Sequence, residues 1–244
     1  MVSTREFTHA GSTIVVERRG SGHPVYVLVH GIGMGRSVFG DLTEDLDRAA
    51  EVIAIDLPGY GEAPEPPRIL TMERTADLVA AFLREYVDAP VVLVGHSMGA
   101  QIAIEVAVRH PATIDRLVLM GPSNDPAARS ASGQFGRLVR DLAFESPKVI
   151  AVGAREYIRA GPHLRGKFRA MLAHHPEDVF AQVTVPTLVL RGEDDIVAPR
   201  AWCRQIVDGI PDARMAEVAG HGHETMIRDA SPAAILIREF AAEG

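Results

Sequence analysis

The sequence predicts an α/β domain, a doubly wound, mostly parallel sheet of about seven to eight strands with helices on both faces. Three observations predict it. Runs rich in Val and Ile recur along the chain, and five are apolar at nearly every position, as strands buried on both faces must be. Between them lie segments whose apolar residues repeat at spacings of three and four, the period of an amphipathic helix. A chain of 244 residues with 47% hydrophobic content can also bury one sizeable core.

In chain order, strands are expected at 12–18 (STIVVER), 25–30 (VYVLVH), 51–56 (EVIAID), 91–95 (VVLVG), 116–121 (RLVLMG), 187–192 (TLVLRG) and 214–218 (RMAEV). The first expected long helix covers 71–87, where Met72, Ala76, Val79, Phe82, Leu83, Tyr86 and Val87 form the apolar stripe and Thr71 is the N-cap. Further helices are expected at 98–110, 198–208 and 232–242, the last capped by Ser231 with Pro232 at its first position.

One segment breaks the alternation. Residues 123–184 contain no strand pattern and carry nine Lys or Arg against six Asp or Glu, a balance of +3 within a chain whose net charge is −7. Its start (123–136) is loop-like, and 137–144, 147–159 and 166–183 have helical patterns. The expected organisation is a core of residues 1–122 and 185–244 with a small helical insertion at 123–184 over one edge of the sheet. A solvated helical face is the reading preferred for its arginines.

Composition excludes several function classes. Net charge −7 gives no general electrostatic footprint for nucleic acid or an anionic membrane. Cys203 is the single cysteine, which rules out an internal disulfide framework and a cysteine-based metal site. The N-terminal stretch is charged throughout and lacks the apolar run of a signal peptide, and no stretch approaches the roughly 20 apolar residues of a membrane span. A cytoplasmic protein is expected.

The chemistry begins at GHSMG (95–99), where a buried strand runs directly into a helix. This is the G-x-S-x-G elbow in its structural context. The turn holds Ser97 in a strained conformation that flanking side chains would obstruct, with its hydroxyl exposed at a helix N-terminus that favours developing negative charge. A serine hydroxyl needs a base to take its proton and an acid to orient that base. Asp194 and Asp195 follow a buried strand on the expected active edge of the sheet, and Asp125, after the preceding strand, is the alternative acid.

Two further loops complete the set. HGIGMG (30–35) is again strand, glycine turn and helix, followed by Asp56 at the end of the next strand, the outline of a dinucleotide-binding unit. The spacing of Gly31, Gly33 and Gly35 is G-x-G-x-G rather than G-x-G-x-x-G, which argues against the dinucleotide unit, and His30-Gly31 resembles the loop that supplies a backbone N–H opposite a nucleophile elbow, so an oxyanion loop is preferred to a phosphate clamp. Near the C-terminus, AGHGHET places His221 and His223 one glycine apart. A zinc pair at that spacing needs further ligands, and none is signalled nearby.

HGIG (30–33), DLPGYG (56–61), GHSMG (95–99), GEDDIVAP (192–199) and a late GHE (222–224) occur in the order found in the α/β-hydrolase family, which the chain resembles over almost its whole length. The resemblance implies an α/β-hydrolase fold with 123–184 as a cap, Ser97 as nucleophile, Asp195 as triad acid, and the backbone N–H groups of Ile32 and Met98 as oxyanion hole. It also favours His223 over His221 as base, because GHETMIRDASP fits the family's spacing to the final helix better from Gly222 than from Gly220. A serine nucleophile disfavours epoxide hydrolases and haloalkane dehalogenases, and His96 before it is common to several branches.

The leading expectation is a serine hydrolase acting on a small to medium, largely apolar carboxylic ester, with no metal or organic cofactor. A thioesterase or carbon–carbon bond hydrolase with the same triad, a low-turnover ligand receptor on the same scaffold, and a nicotinamide-dependent oxidoreductase are the rivals, in that order. The only expected partner is the small-molecule ester, with neither nucleic acid nor membrane. Monomer and homodimer are both compatible with the sequence.

Overall fold

The computed structural model describes residues 3–48, 50–128, 163–227 and 229–243. The apolar runs form strands β2 (Ser12–Gly20), β3 (Val25–Val29), β4 (Glu51–Asp56), β5 (Val91–His96), β6 (Ile114–Met120), β7 (Thr187–Gly192) and β8 (Ala213–Val218). An additional strand, β1 (Ser3–His9), precedes them. It was not expected because only Phe7 is buried and the rest is polar. A two-residue turn at Ala10 and Gly11, with φ of 49° and 76°, folds it back on β2, the conformation that suits the twist of a hairpin.

The eight strands lie in the order β1-β2-β4-β3-β5-β6-β7-β8. β1–β2 and β2–β4 are antiparallel, and every other pairing is parallel. Alternate residues of the central strands feed two separate apolar layers: Val27, Leu93, Leu117 and Leu119 face one, and Leu28, Val94, Val118 and Met120 the other. Both faces are covered, which is why these strands have almost no polar position.

Helices α2 (Met72–Tyr86), α3 (Met98–Arg109) and α5 (Arg200–Gly209) pack the first layer, whereas α1 (Gly40–Leu46) and α6 (Ser231–Ala242) pack the second. Thr71 caps α2, accepting a hydrogen bond from Arg74 N at 3.4 Å. Ser231 is not the cap of α6. The helix already includes it, Ala230 takes the cap position, and the Ser231 hydroxyl donates to Asp45 Oδ2 at 2.7 Å, tying α6 to α1.

Of the insertion, the expected helices at 137–144 and 147–159 lie outside the described residues. The pattern at 166–183 becomes helix α4 (Leu164–Ala173) followed by 3-10 turns at Pro176–Asp178 and Phe180–Gln182. Pro176, which has no N–H to donate, prevents one continuous helix. The two ends of the segment meet, since Asn124 Nδ2 donates to Met171 O at 3.1 Å and to His174 O at 2.6 Å. No helix among the described residues is long and apolar enough to cross a membrane.

The strand order reverses around β3, with β4 on one side and β5 on the other. Loops leaving the C-terminal ends of β3 and β5 therefore diverge and open a crevice, the usual ligand position in such sheets. The loops after these two strands are HGIG and GHSMG.

Candidate active site

β5 ends at His96 and α3 starts at Met98, leaving Ser97 alone between them. Its φ of 53° and ψ of −114° are a conformation an L-residue holds only under constraint. Ser97 N donates to Met120 O at 3.0 Å. A Cβ on Gly95 would lie 2.3 Å from Gly99 O, and one on Gly99 would lie 2.1 Å from Val29 O. Close approach of α3 to β3 and β5 thus demands glycine on both sides of the serine, as the motif predicts.

Ser97 is 5% exposed, in contrast to the exposed hydroxyl expected of the elbow. The loop after β3 closes over it, so that a Cβ on Gly31 would stand 3.0 Å from Ser97 Cβ. Gly31 O accepts from Met34 N at 3.3 Å, and Gly33 has the positive φ, 72°, that the third position of such a turn requires. His30 fixes this turn. Leu57 N donates to His30 Nε2 at 3.1 Å, which places the ring proton on Nδ1, and Nδ1 donates to Gly31 O at 2.8 Å. In a trans peptide the N–H points opposite to the C=O, so clamping Gly31 O also sets the direction of the Ile32 N–H. Met98, the other expected donor, is the first residue of α3, where backbone N–H groups have no intrahelical partner.

Asp195 and His223 are brought together by the loops after β7 and β8. His223 Nδ1 and Asp195 Oδ2 are 2.9 Å apart, with both side chains buried. Asp195 Oδ1 accepts from Val197 N and Ala198 N, each at 2.8 Å. Burial would raise the Asp195 carboxyl, but adjacent His223 and these two N–H groups hold it below the ordinary carboxylate value. Gly121, with φ 50°, supplies the floor, since a Cβ there would lie 3.0 Å from His223 Nδ1 and 3.2 Å from Asp195 Oδ2.

The alternatives make other contacts. Asp194 is exposed, and Asp125 Oδ1 accepts from Ala127 N of its own turn at 2.9 Å. His221 turns its ring to backbone carbonyls, Nδ1 to Ala219 O at 2.9 Å and Nε2 to Asp229 O at 3.3 Å. The paired histidines therefore face different partners.

Besides His30, two supporting residues escaped the sequence reading. Arg191, in β7, donates from Nη2 to Asp195 O at 2.9 Å and from Nε to Ala198 O at 3.0 Å, bracing the Asp195 loop from beneath. Its signal was the one charge in an otherwise apolar strand. His96 packs its ring 4.8 Å from that of His223, and its Nε2 lies 3.2 Å from His223 O. Burial, then neighbouring His223, push His96 down to about 3, so at neutral pH it is an uncharged donor to that carbonyl. Nothing in the local sequence marks this contact between residues so far apart.

The chain is similar to known proteins over most of its length. Residues 26–237 match the model of the Alpha/beta hydrolase family. The chain is 27% identical to a 2-hydroxymuconate semialdehyde hydrolase of Pseudomonas sp. (strain CF600), over 98% of this chain and 94% of that one. It is 28% identical to a pimeloyl-[acyl-carrier protein] methyl ester esterase of Chromobacterium violaceum, over 86% and 91% of the two chains. Among solved structures, a serine hydrolase involved in carbazole degradation superposes with a TM-score of 0.81 at 25% identity, covering 98% of each chain. The chain belongs to the alpha/beta hydrolase family, a family of hydrolytic enzymes.

Proposed function

We propose that this hydrolase cleaves a small to medium, largely apolar carboxylic ester, with Ser97 as nucleophile, His223 as base and Asp195 as the acid that orients it. The observation that carries the reading is the buried 2.9 Å contact between His223 and an Asp195 whose second oxygen is already held by two backbone N–H groups. The carboxylate cannot turn away, and it stabilises the imidazolium formed when His223 takes the Ser97 proton. The tetrahedral oxyanion rests on the N–H groups of Ile32 and Met98, at the start of α3, where the helix dipole favours negative charge. Collapse of the intermediate expels the alcohol, protonated by His223. Water, activated by the same imidazole, then hydrolyses the acyl-enzyme. Residues 123–184 act as a cap over residues 1–122 and 185–244, and substrate choice lies there.

A carbon–carbon bond hydrolase is the second reading, favoured by the likeness to the 2-hydroxymuconate semialdehyde hydrolase across almost the whole chain. Turnover of aryl esters, acyl thioesters and a vinylogous diketone by one preparation separates the readings. A fluorophosphonate probe should label wild type and leave Ser97→Ala unlabelled; equal labelling of both would remove Ser97 from the mechanism. His223→Ala should lower kcat by on the order of 10⁶, while His221→Ala has a modest effect. The reverse ranking would move the base by two residues.

A further inference from the structure

Lys167 is a cation in an improbable place. It lies on α4, at the end of the insertion, and is 6% exposed. Lysine is almost never buried to this degree without partners. Nζ donates to Gly59 O at 2.6 Å and to Glu65 Oε1 at 2.9 Å, and sits 4.4 Å from the centre of the Tyr60 ring. All three contacts belong to the single loop between β4 and α2. Gly59 admits the ammonium because it has no side chain; a Cβ there would lie 2.4 Å from Nζ. Glu65 is itself exposed, so the ion pair adds little net stability, and the contacts with Gly59 O and Tyr60 are the ones made inside the fold.

Tyr60, fixed in this way, touches both expected oxyanion donors at one remove. Its ring packs edge-on to His30 with centroids 5.1 Å apart, and His30 clamps the peptide that carries the Ile32 N–H. Its hydroxyl is 3.9 Å from Met98 Sδ, on the residue carrying the other donor. Burial raises the Tyr60 phenol, so it stays protonated and able to donate.

We propose that Lys167 is a positioning residue, which locks Tyr60 against His30 and Met98 and thereby makes the seating of α4 a determinant of oxyanion-hole geometry. The proposal rests on the assignment of Ile32 and Met98 as the oxyanion donors. It links the segment expected to select substrate to the atoms that stabilise charge, without Lys167 touching the reacting groups.

The test uses the full chain, p-nitrophenyl butyrate and a fluorophosphonate. In Lys167→Met and Tyr60→Leu, the sites should still label to completion. The labelling rate and kcat per labelled site should each fall about tenfold, with KM changed less than about twofold, because the loss falls on the transition state. Tyr60→Phe, which keeps the ring beneath the ammonium and against His30 but loses the hydroxyl's contact with Met98, should give a kcat between those of wild type and Tyr60→Leu. Unchanged kcat per labelled site in Lys167→Met, even with a lowered Tm, would overturn the proposal, as would loss of folding in both disruptive variants, which would mark the contact as purely structural. Absence of labelling in wild type would sink the Ser97 assignment itself, and this proposal with it.

Discussion

His96 illustrates how a single buried residue ties the pH dependence of folding to the site. Its value moves from 6.5 to about 3 on folding, with burial the leading cause. Between those values the unfolded chain binds a proton that the native state refuses, so stability must fall as pH drops from 6.5 toward 3. One such proton contributes a slope of up to about 1.4 kcal/mol per pH unit. Buried His30 is shifted downward as well and adds to the slope. His96→Gln keeps an N–H near the His223 carbonyl but removes the titration. Urea midpoints at pH 7 and pH 5 should therefore converge in the variant relative to wild type; an identical difference in both proteins would exclude the buried neutral imidazole. Ser97 and the pair Asp194/Asp195 were legible as residues because each sits beside a strand end. Arg191, His30 and His96 were not given their roles, because those roles lie in contacts to loops distant along the chain.

At the scale of elements, the elbow is a packing constraint before it is a catalytic motif. The backbones of α3 and β3 approach until a methyl group at Gly99 would meet Val29 O at 2.1 Å. Gly99→Ala must push the helix away, and a cost of about 3 kcal/mol is expected by urea denaturation, together with slower fluorophosphonate labelling. Gly40, in the first turn of α1, is the control, with nothing within 4 Å of an added Cβ and an ordinary helical φ of −50°. Gly40→Ala should raise stability by about 0.5–1 kcal/mol through helix propensity and reduced unfolded-chain entropy. Strand and helix existence was legible wherever both faces of a strand, or one stripe of a helix, had to be buried. β1 was missed because an edge strand with one buried residue leaves no pattern, and Ser231 was misassigned because cap chemistry is also satisfied by a neighbouring helix.

For the whole molecule, the return from residue 174 into the core depends on a polar knot. His174 Nε2 is 2.8 Å from Glu105 Oε1 and its Nδ1 is 3.0 Å from Gln101 Oε1, both on α3, while Asn124 holds the backbone on the other side. Both members of the His174–Glu105 pair are buried. Glu105→Ala leaves the imidazole without its carboxylate and should cost about 3 kcal/mol in urea unfolding. A change near zero would show that the knot contributes nothing to holding the segment on α3.

The sequence by itself determined seven of the eight strands, the elbow and the order of the candidate site residues. These rest on periodicity, on glycines at fixed spacing, and on the rule that loops after parallel strands share one edge, all of which are local properties of the chain. Only the tertiary structure decided that Ser97 is buried beside the Gly31 turn and that Lys167 sits on Tyr60, and it set His223, which the family's spacing already favoured, against Asp195. Each is a choice among side chains of equal chemistry or of no local pattern, made by the register of β7 with β8 and by the packing of α4 on the β4–α2 loop. Distances between loops remote in sequence are fixed only when the strands beneath them pair.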